Sequence, residues 1–103
     1  MIEMVDMKET GIRDVVLDEI KNYAKQFDIK KVILFGSRAR GDYKEKSDID
    51  LAVSGGNISA FSIMVDEKTS TLLKFDIVNL DASVQQELLQ SIDGDGIIIY
   101  EKI

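Results

Sequence analysis

The feature that most constrains this chain is the stretch from residue 33 to residue 53, ILFGSRARGDYKEKSDIDLAV. Two short apolar runs flank a basic loop, and runs of this kind are typical of buried strands. The second run carries Asp48 and Asp50, two positions apart. Side chains two apart on a strand lie on the same face, so both carboxylates should project together, away from Ile49 and Leu51. Such charges repel each other and resist burial unless a cation joins them.

The rest of the chain alternates between strand and helix patterns. Short apolar runs predict strands over residues 31–35, 48–53, 75–80 and 96–100, with a loop or short helix between the first two. Apolar residues at helical spacing predict helices over 12–27 and 58–73, and a capping box beginning at Ser83 predicts a last helix that ends at Gly94. This alternation indicates an α/β (α+β) fold, with a mixed sheet of about four strands packed against helices. We expect residues 1–103 to form a single domain.

The composition excludes several kinds of function. There are 19 acidic and 13 basic residues, for a net charge of −6, which argues against a nucleic-acid-binding protein. Without histidine or cysteine, the chain cannot form disulfides or zinc–thiolate sites, and acid–base or metal chemistry must depend on carboxylates. Hard cations with oxygen ligands are then the expected metals. The N-terminus does not have the pattern of a signal peptide and no apolar run reaches membrane-spanning length, so we expect a cytoplasmic protein.

Asp76 is a candidate third member of the carboxylate group. It lies in the run FDIVNL, on the opposite parity from Phe75 and Ile77, so a neighbouring strand could bring it beside Asp48 and Asp50. Taken alone, Asp76 fits an ordinary strand-edge position equally well. The three carboxylates together would suit one or two Mg²⁺ or Mn²⁺ ions.

A second candidate feature is the Gly36-Ser37 corner and the loop that follows it. A glycine at the end of a strand lets a ligand approach the backbone, and a hydroxyl and free N–H groups follow it, which suits phosphate. The loop over residues 38–46 carries Arg38 and Arg40 and has a net charge of about +2 in an acidic protein. Either feature alone would also fit an ordinary turn or a solvated loop.

Together, the segments FGSRARGD and SDIDLAV resemble the signature of the DNA polymerase β-like nucleotidyltransferases, and specifically of the minimal nucleotidyltransferases. The resemblance implies the nucleotidyltransferase fold. It also implies that Asp48 and Asp50 carry two Mg²⁺ ions, and that Asp76 completes the metal site or helps to deprotonate the attacking hydroxyl. By the same resemblance, Gly36 and Ser37 hold a nucleoside triphosphate, and Arg38 and Arg40 donate to its phosphate oxygens.

The resemblance further implies a Mg-dependent transfer of a nucleoside monophosphate to a hydroxyl. We expect AMP to come from ATP and the acceptor to be a tyrosine of a helical HEPN-type toxin, within a toxin–antitoxin pair. Two alternatives remain open. One is an antitoxin with weak or no catalysis that acts by binding its partner, and the other is a small-molecule nucleotidyltransferase of the antibiotic-resistance type. The second lacks support because no acceptor-binding domain is evident in 103 residues.

Overall fold

The computed structural model describes residues 10–103. Its elements are, in chain order, α1 (Asp14–Gln26), β1 (Lys31–Phe35), α2 (Gly36–Arg40), β2 (Ile49–Ser54), α3 (Ile58–Lys68), β3 (Phe75–Asn79), α4 (Gln86–Asp95) and β4 (Ile97–Glu101). This is the alternation that the sequence predicts, with a short helix rather than a loop after β1. Within residues 10–103 there is no helix with the length and apolar character needed to cross a membrane.

The strands form one mixed sheet in the order β3-β2-β1-β4. β1 pairs antiparallel with both β2 and β4, whereas β2 and β3 are parallel. A parallel pair needs a crossover connection, and α3 supplies it. The predicted mixed sheet of about four strands is therefore confirmed. β2 and β3 start at the same end of the sheet, and β1 ends there. Three chain segments that carry polar residues therefore meet at this end of the sheet.

The two faces of the sheet are covered unequally. The main core lies between one face and helices α1 and α3, and its buried residues include Ile20, Leu34, Leu51, Phe61 and Val65. The other face has a smaller core around Phe35, Ala52 and Ile92, and Ile92 comes from α4. Since strand residues alternate between faces, Asp50 and Asp76 lie on the second, more open face.

The predicted bounds of two helices, α3 and α4, were wrong. α3 ends at Lys68 rather than at residue 73, because the following loop is held by α1: Glu19 accepts hydrogen bonds from the backbone N–H and the hydroxyl of Ser70. α4 begins at Gln86 with Gln85 as N-cap and without a side-chain cap, so the capping box at Ser83 does not form. Gly94 lies inside α4, which ends at Asp95.

Candidate active site

Asp50 occupies the centre of the candidate site. It lies on β2, one of the two inner strands, where its backbone pairs with Phe35 of β1 on one side and with Asp76 of β3 on the other. Neighbouring strands lie about 4.8 Å apart, so the two aspartates project side by side from one face. The sequence predicted that a neighbouring strand would bring Asp76 next to the aspartate pair, and the β2–β3 register does this.

Asp48 lies immediately before β2, where a backbone hydrogen bond from Ile49 N–H to the Lys74 carbonyl (2.8 Å) extends the pairing toward β3. Its side chain is exposed, as is that of Asp76, whereas Asp50 is partly buried. The strand period places Asp48 and Asp50 on the same face. All three predicted carboxylates therefore lie at the same end of the sheet.

The electrostatics single out Asp50 among these carboxylates. Burial raises the pKa of Asp50 above its ordinary value, and the negative charges of Asp76 and Asp48 raise it further. Arg40 acts in the opposite direction and lowers this pKa. The three carboxylates repel one another because they lie close together, and a bound cation would reduce this repulsion.

Gly36 adjoins Asp50 at the end of β1 and has a left-handed backbone, with φ of 76°. A side chain here would be strained, and its Cβ would overlap with Oδ2 of Asp50. The absence of a side chain at Gly36 thus leaves room for the carboxylate of Asp50, which occupies the position that a Cβ would fill. Ser37 follows in the first turn of α2, where backbone N–H groups have no partner within the helix. The two residues form a polar corner at the end of β1, next to Asp50. The triphosphate contact expected of this corner stays a prediction.

Arg40 is held by two carboxylates at the end of α2. Its guanidinium forms ion pairs with Asp42 (3.2 Å) and with Asp95 of α4 (3.4 Å). Asp95 was missed by the sequence reasoning, which ended the last helix at Gly94, and nothing in the local pattern links Asp95 to Arg40. Since Arg40 is exposed and also lowers the pKa of Asp50, it lies within electrostatic range of the site.

Arg38 requires a correction. The sequence predicted that it donates to phosphate oxygens, but its side chain is buried and each of three guanidinium nitrogens donates to a backbone carbonyl. With these donors engaged inside the protein, Arg38 is not presented to a ligand. The ring of Tyr43 lies against the guanidinium.

The residues present have the chemistry of a site for hard cations, because three carboxylates lie on one face at the same end of the sheet and Gly36 leaves room for the carboxylate of Asp50. In the arrangement seen here, no three acidic side chains among residues 10–103 converge closely enough to form a metal site. Cation binding would thus require the exposed carboxylates to rotate toward Asp50.

Comparisons with known proteins agree with this geometry. Over 61 residues the chain is 49% identical to a protein of Methanocaldococcus jannaschii whose name assigns it to the protein adenylyltransferases (MJ0604). The match covers 59% of this chain and 58% of that protein, so it spans less than two thirds of the relative.

Solved structures of toxin–antitoxin complexes share the fold. One, a complex with AMP-PNP, matches with a TM-score of 0.66 at 22% identity and covers 84% of this chain and 73% of the other. Another, a variant of the MntA–HpeT pair in which two aspartates two positions apart are replaced by glutamates, has a TM-score of 0.65 at 20% identity over the same shares.

The family model described as "Polymerase beta, Nucleotidyltransferase" matches residues 18–103, which include the whole sheet and every predicted site residue. The GS corner, the paired aspartates and Asp76 all lie inside this match. The chain belongs to the polymerase β nucleotidyltransferase family.

Proposed function

We propose that this protein transfers AMP from ATP to a hydroxyl of a partner protein, and that the acceptor is a tyrosine of a helical HEPN-type toxin. The observation that carries the proposal is the position of Asp50, between Gly36 and Asp76 on the open face of the sheet. The name of the Methanocaldococcus relative supports AMP as the transferred group. The toxin–antitoxin neighbours, one of them with AMP-PNP, support a partner protein and an adenine nucleotide.

In this proposal, Asp48, Asp50 and Asp76 hold two Mg²⁺ ions. Bound Mg²⁺ would supply positive charge that activates the acceptor hydroxyl and neutralises the triphosphate. The phosphates bind at the Gly36-Ser37 corner, where Ser37 and the first N–H groups of α2 donate to them. The acceptor oxygen forms a bond to the α-phosphorus, the bond to the bridging oxygen breaks and pyrophosphate leaves. In this proposal Asp76, which is exposed beside Asp50, takes the acceptor's proton.

The shape of the site favours an acceptor carried by another macromolecule. The carboxylates lie on a face that α4 covers only in part, so in residues 10–103 they have no wall that would enclose a small molecule. A net charge of −6 favours a partner with a basic or mixed surface over nucleic acid. A partner protein could supply both the hydroxyl and the missing contacts that orient it.

The test is to incubate the protein with labelled ATP and Mg²⁺, with and without a candidate HEPN-type partner encoded by a neighbouring gene. We expect the partner to gain the mass of one AMP on a tyrosine, and Asp48→Asn to abolish the gain. Asp18→Asn, at an exposed position on α1, is the matched control and should leave transfer unchanged. Rapid modification of a small molecule by the isolated chain would instead support the antibiotic-type function.

A second candidate function is neutralisation of the partner by binding alone. It is favoured by one observation: the three carboxylates do not converge on a common point in the described residues. The two functions differ in how Asp48→Asn should behave. If the variant loses transfer and still neutralises the toxin fully, binding is the physiological activity; if both are lost while the complex still forms, catalysis is required.

A further inference from the structure

Arg38 is a buried cation with an unusual set of partners. Only 2% of its surface is exposed. Its Nε donates to the Ser47 carbonyl (3.0 Å), Nη1 to the Thr10 carbonyl (2.9 Å) and Nη2 to the Glu45 carbonyl (3.2 Å). The flat guanidinium thus joins two segments that are far apart in sequence, the residues before α1 and the loop before β2.

The charge is balanced by dipoles and an aromatic face rather than by a carboxylate. The guanidinium carbon lies 4.7 Å from the centre of the Tyr43 ring, a cation–π arrangement. The ion pairs found within residues 10–103 involve other basic residues. Only arginine can offer this planar array of donors, because a lysine ammonium is a single nitrogen and cannot replace three nitrogens that each meet a different carbonyl.

The contact with Ser47 connects Arg38 to the candidate site. Ser47 directly precedes Asp48, and its carbonyl belongs to the peptide bond that leads into that residue. The same turn is closed by two hydrogen bonds between Ser47 and Lys44, from Ser47 N–H to the Lys44 carbonyl (3.0 Å) and from Lys44 N–H to Ser47 Oγ (2.8 Å). Arg38 itself belongs to α2, the helix that begins with Gly36 and Ser37.

We propose that Arg38 is a positioning residue that fixes Asp48 relative to the phosphate-binding corner. One buried side chain ties α2, which carries Gly36 and Ser37, to the backbone entering Asp48, so the two halves of the site keep a constant separation. The catalytic consequence of this inference rests on the proposed function. Its structural part, that Arg38 holds residues 41–48 in place, can be measured without any reaction.

The test compares Arg38→Met and Arg38→Lys with Lys46→Met, a matched control that removes an exposed positive charge from the same loop. Measurements are made at a temperature where circular dichroism shows each protein to be folded. Hydrogen exchange should become faster within residues 41–48 in both Arg38 variants and remain unchanged in the β1–β4 ladder. Mn²⁺ affinity should fall about tenfold or more, the loss typical when a group that orients a metal ligand is removed.

In the transfer assay, kcat should fall while the KM for ATP changes little, because the misplaced group is a carboxylate of the reacting centre rather than the phosphate-binding corner. Arg38→Lys should not rescue kcat. Wild-type exchange in the loop and wild-type Mn²⁺ affinity in folded Arg38→Met would overturn the proposal. An equal loss of Mn²⁺ affinity in Lys46→Met would also overturn it, since the effect would then be one of net charge.

Two further measurements apply if Arg38→Met does not fold or if the wild-type protein is inactive. If Arg38→Met does not fold, Tyr43→Leu decides: it removes the ring against the guanidinium while leaving the three hydrogen-bonding pairs, and it should speed exchange in residues 41–48 alone. Unchanged exchange in that variant would contradict the proposal. If the wild-type protein neither binds Mn²⁺ nor transfers AMP, the proposed function fails, and hydrogen exchange by itself then tests whether Arg38 holds the loop.

Discussion

Replacing Gly36 with alanine tests whether the polar corner is built around the carboxylate of Asp50. Two costs are expected from the structure. A left-handed backbone at a non-glycine residue costs about 1 to 2 kcal/mol, and Gly36 has φ of 76°. In addition, the new Cβ would overlap with Oδ2 of Asp50, and pushing that side chain off its rotamer costs about 0.5 to 1.5 kcal/mol.

Gly41 offers a matched control, because it also has a left-handed backbone, with φ of 90°, and a Cβ built there meets no atom within 4 Å. Gly41→Ala should therefore lose only the backbone contribution of about 1 to 2 kcal/mol. Gly36→Ala should lose both contributions, about 1.5 to 3.5 kcal/mol, which corresponds to a fall in Tm of roughly 6 to 28 °C for a domain of this size. The assay is urea unfolding monitored by circular dichroism, at equal protein concentration.

The double variant isolates the steric contribution. In an Asp50→Ala background the overlap is absent, so Gly36→Ala should cost no more than Gly41→Ala. Equal costs for the two glycines in the wild-type background would refute the reasoning, since the carboxylate would then not occupy the space beside Gly36. A loss of nucleotide binding in Gly36→Ala is not by itself evidence of phosphate contact, because the substitution also displaces Asp50.

Three other predictions depend on the burial and electrostatics of single residues. Burial and the neighbouring aspartates raise the pKa of Asp50, so ionisation of this carboxyl opposes folding. The protonated carboxyl contributes stability below the ordinary pKa of an aspartate, and this stability is lost as pH rises through the elevated pKa. Asp50→Asn should therefore be more stable than wild type at neutral pH in urea unfolding, with a difference that shrinks toward acid pH. Because Arg40 lowers the pKa of Asp50, Arg40→Gln should shift the acid limb of the pH–activity profile to higher pH. In the core, Phe61→Ala should cost about 3 to 5 kcal/mol because Phe61 is fully buried, whereas Ile63→Ala on the same helix should cost far less because Ile63 is 57% exposed; similar losses in thermal unfolding would contradict this assignment of the core face.

The sequence was sufficient for those parts of the fold that depend on local periodicity. Side chains alternate between the two faces of a strand, with a period of two residues. The shared face of Asp48, Asp50 and Asp76 could therefore be predicted from the residue pattern alone. The end of α3 could not, because it depends on Glu19 of α1 reaching Ser70 across the fold. The role of Arg38 was hidden for the same reason: a basic residue in a basic loop gives no sign that it is buried against distant carbonyls.

The unequal covering of the sheet has a consequence for how this protein can change over evolutionary time. Its principal core is on the face packed by α1 and α3, while Asp48 and Asp76 are exposed at the end of the other face. Substitutions at these two positions remove little packing, so under the proposed function a lineage could lose AMP transfer by single point changes while the fold is retained. Transfer and partner binding, as proposed here, would then be open to independent selection in this scaffold.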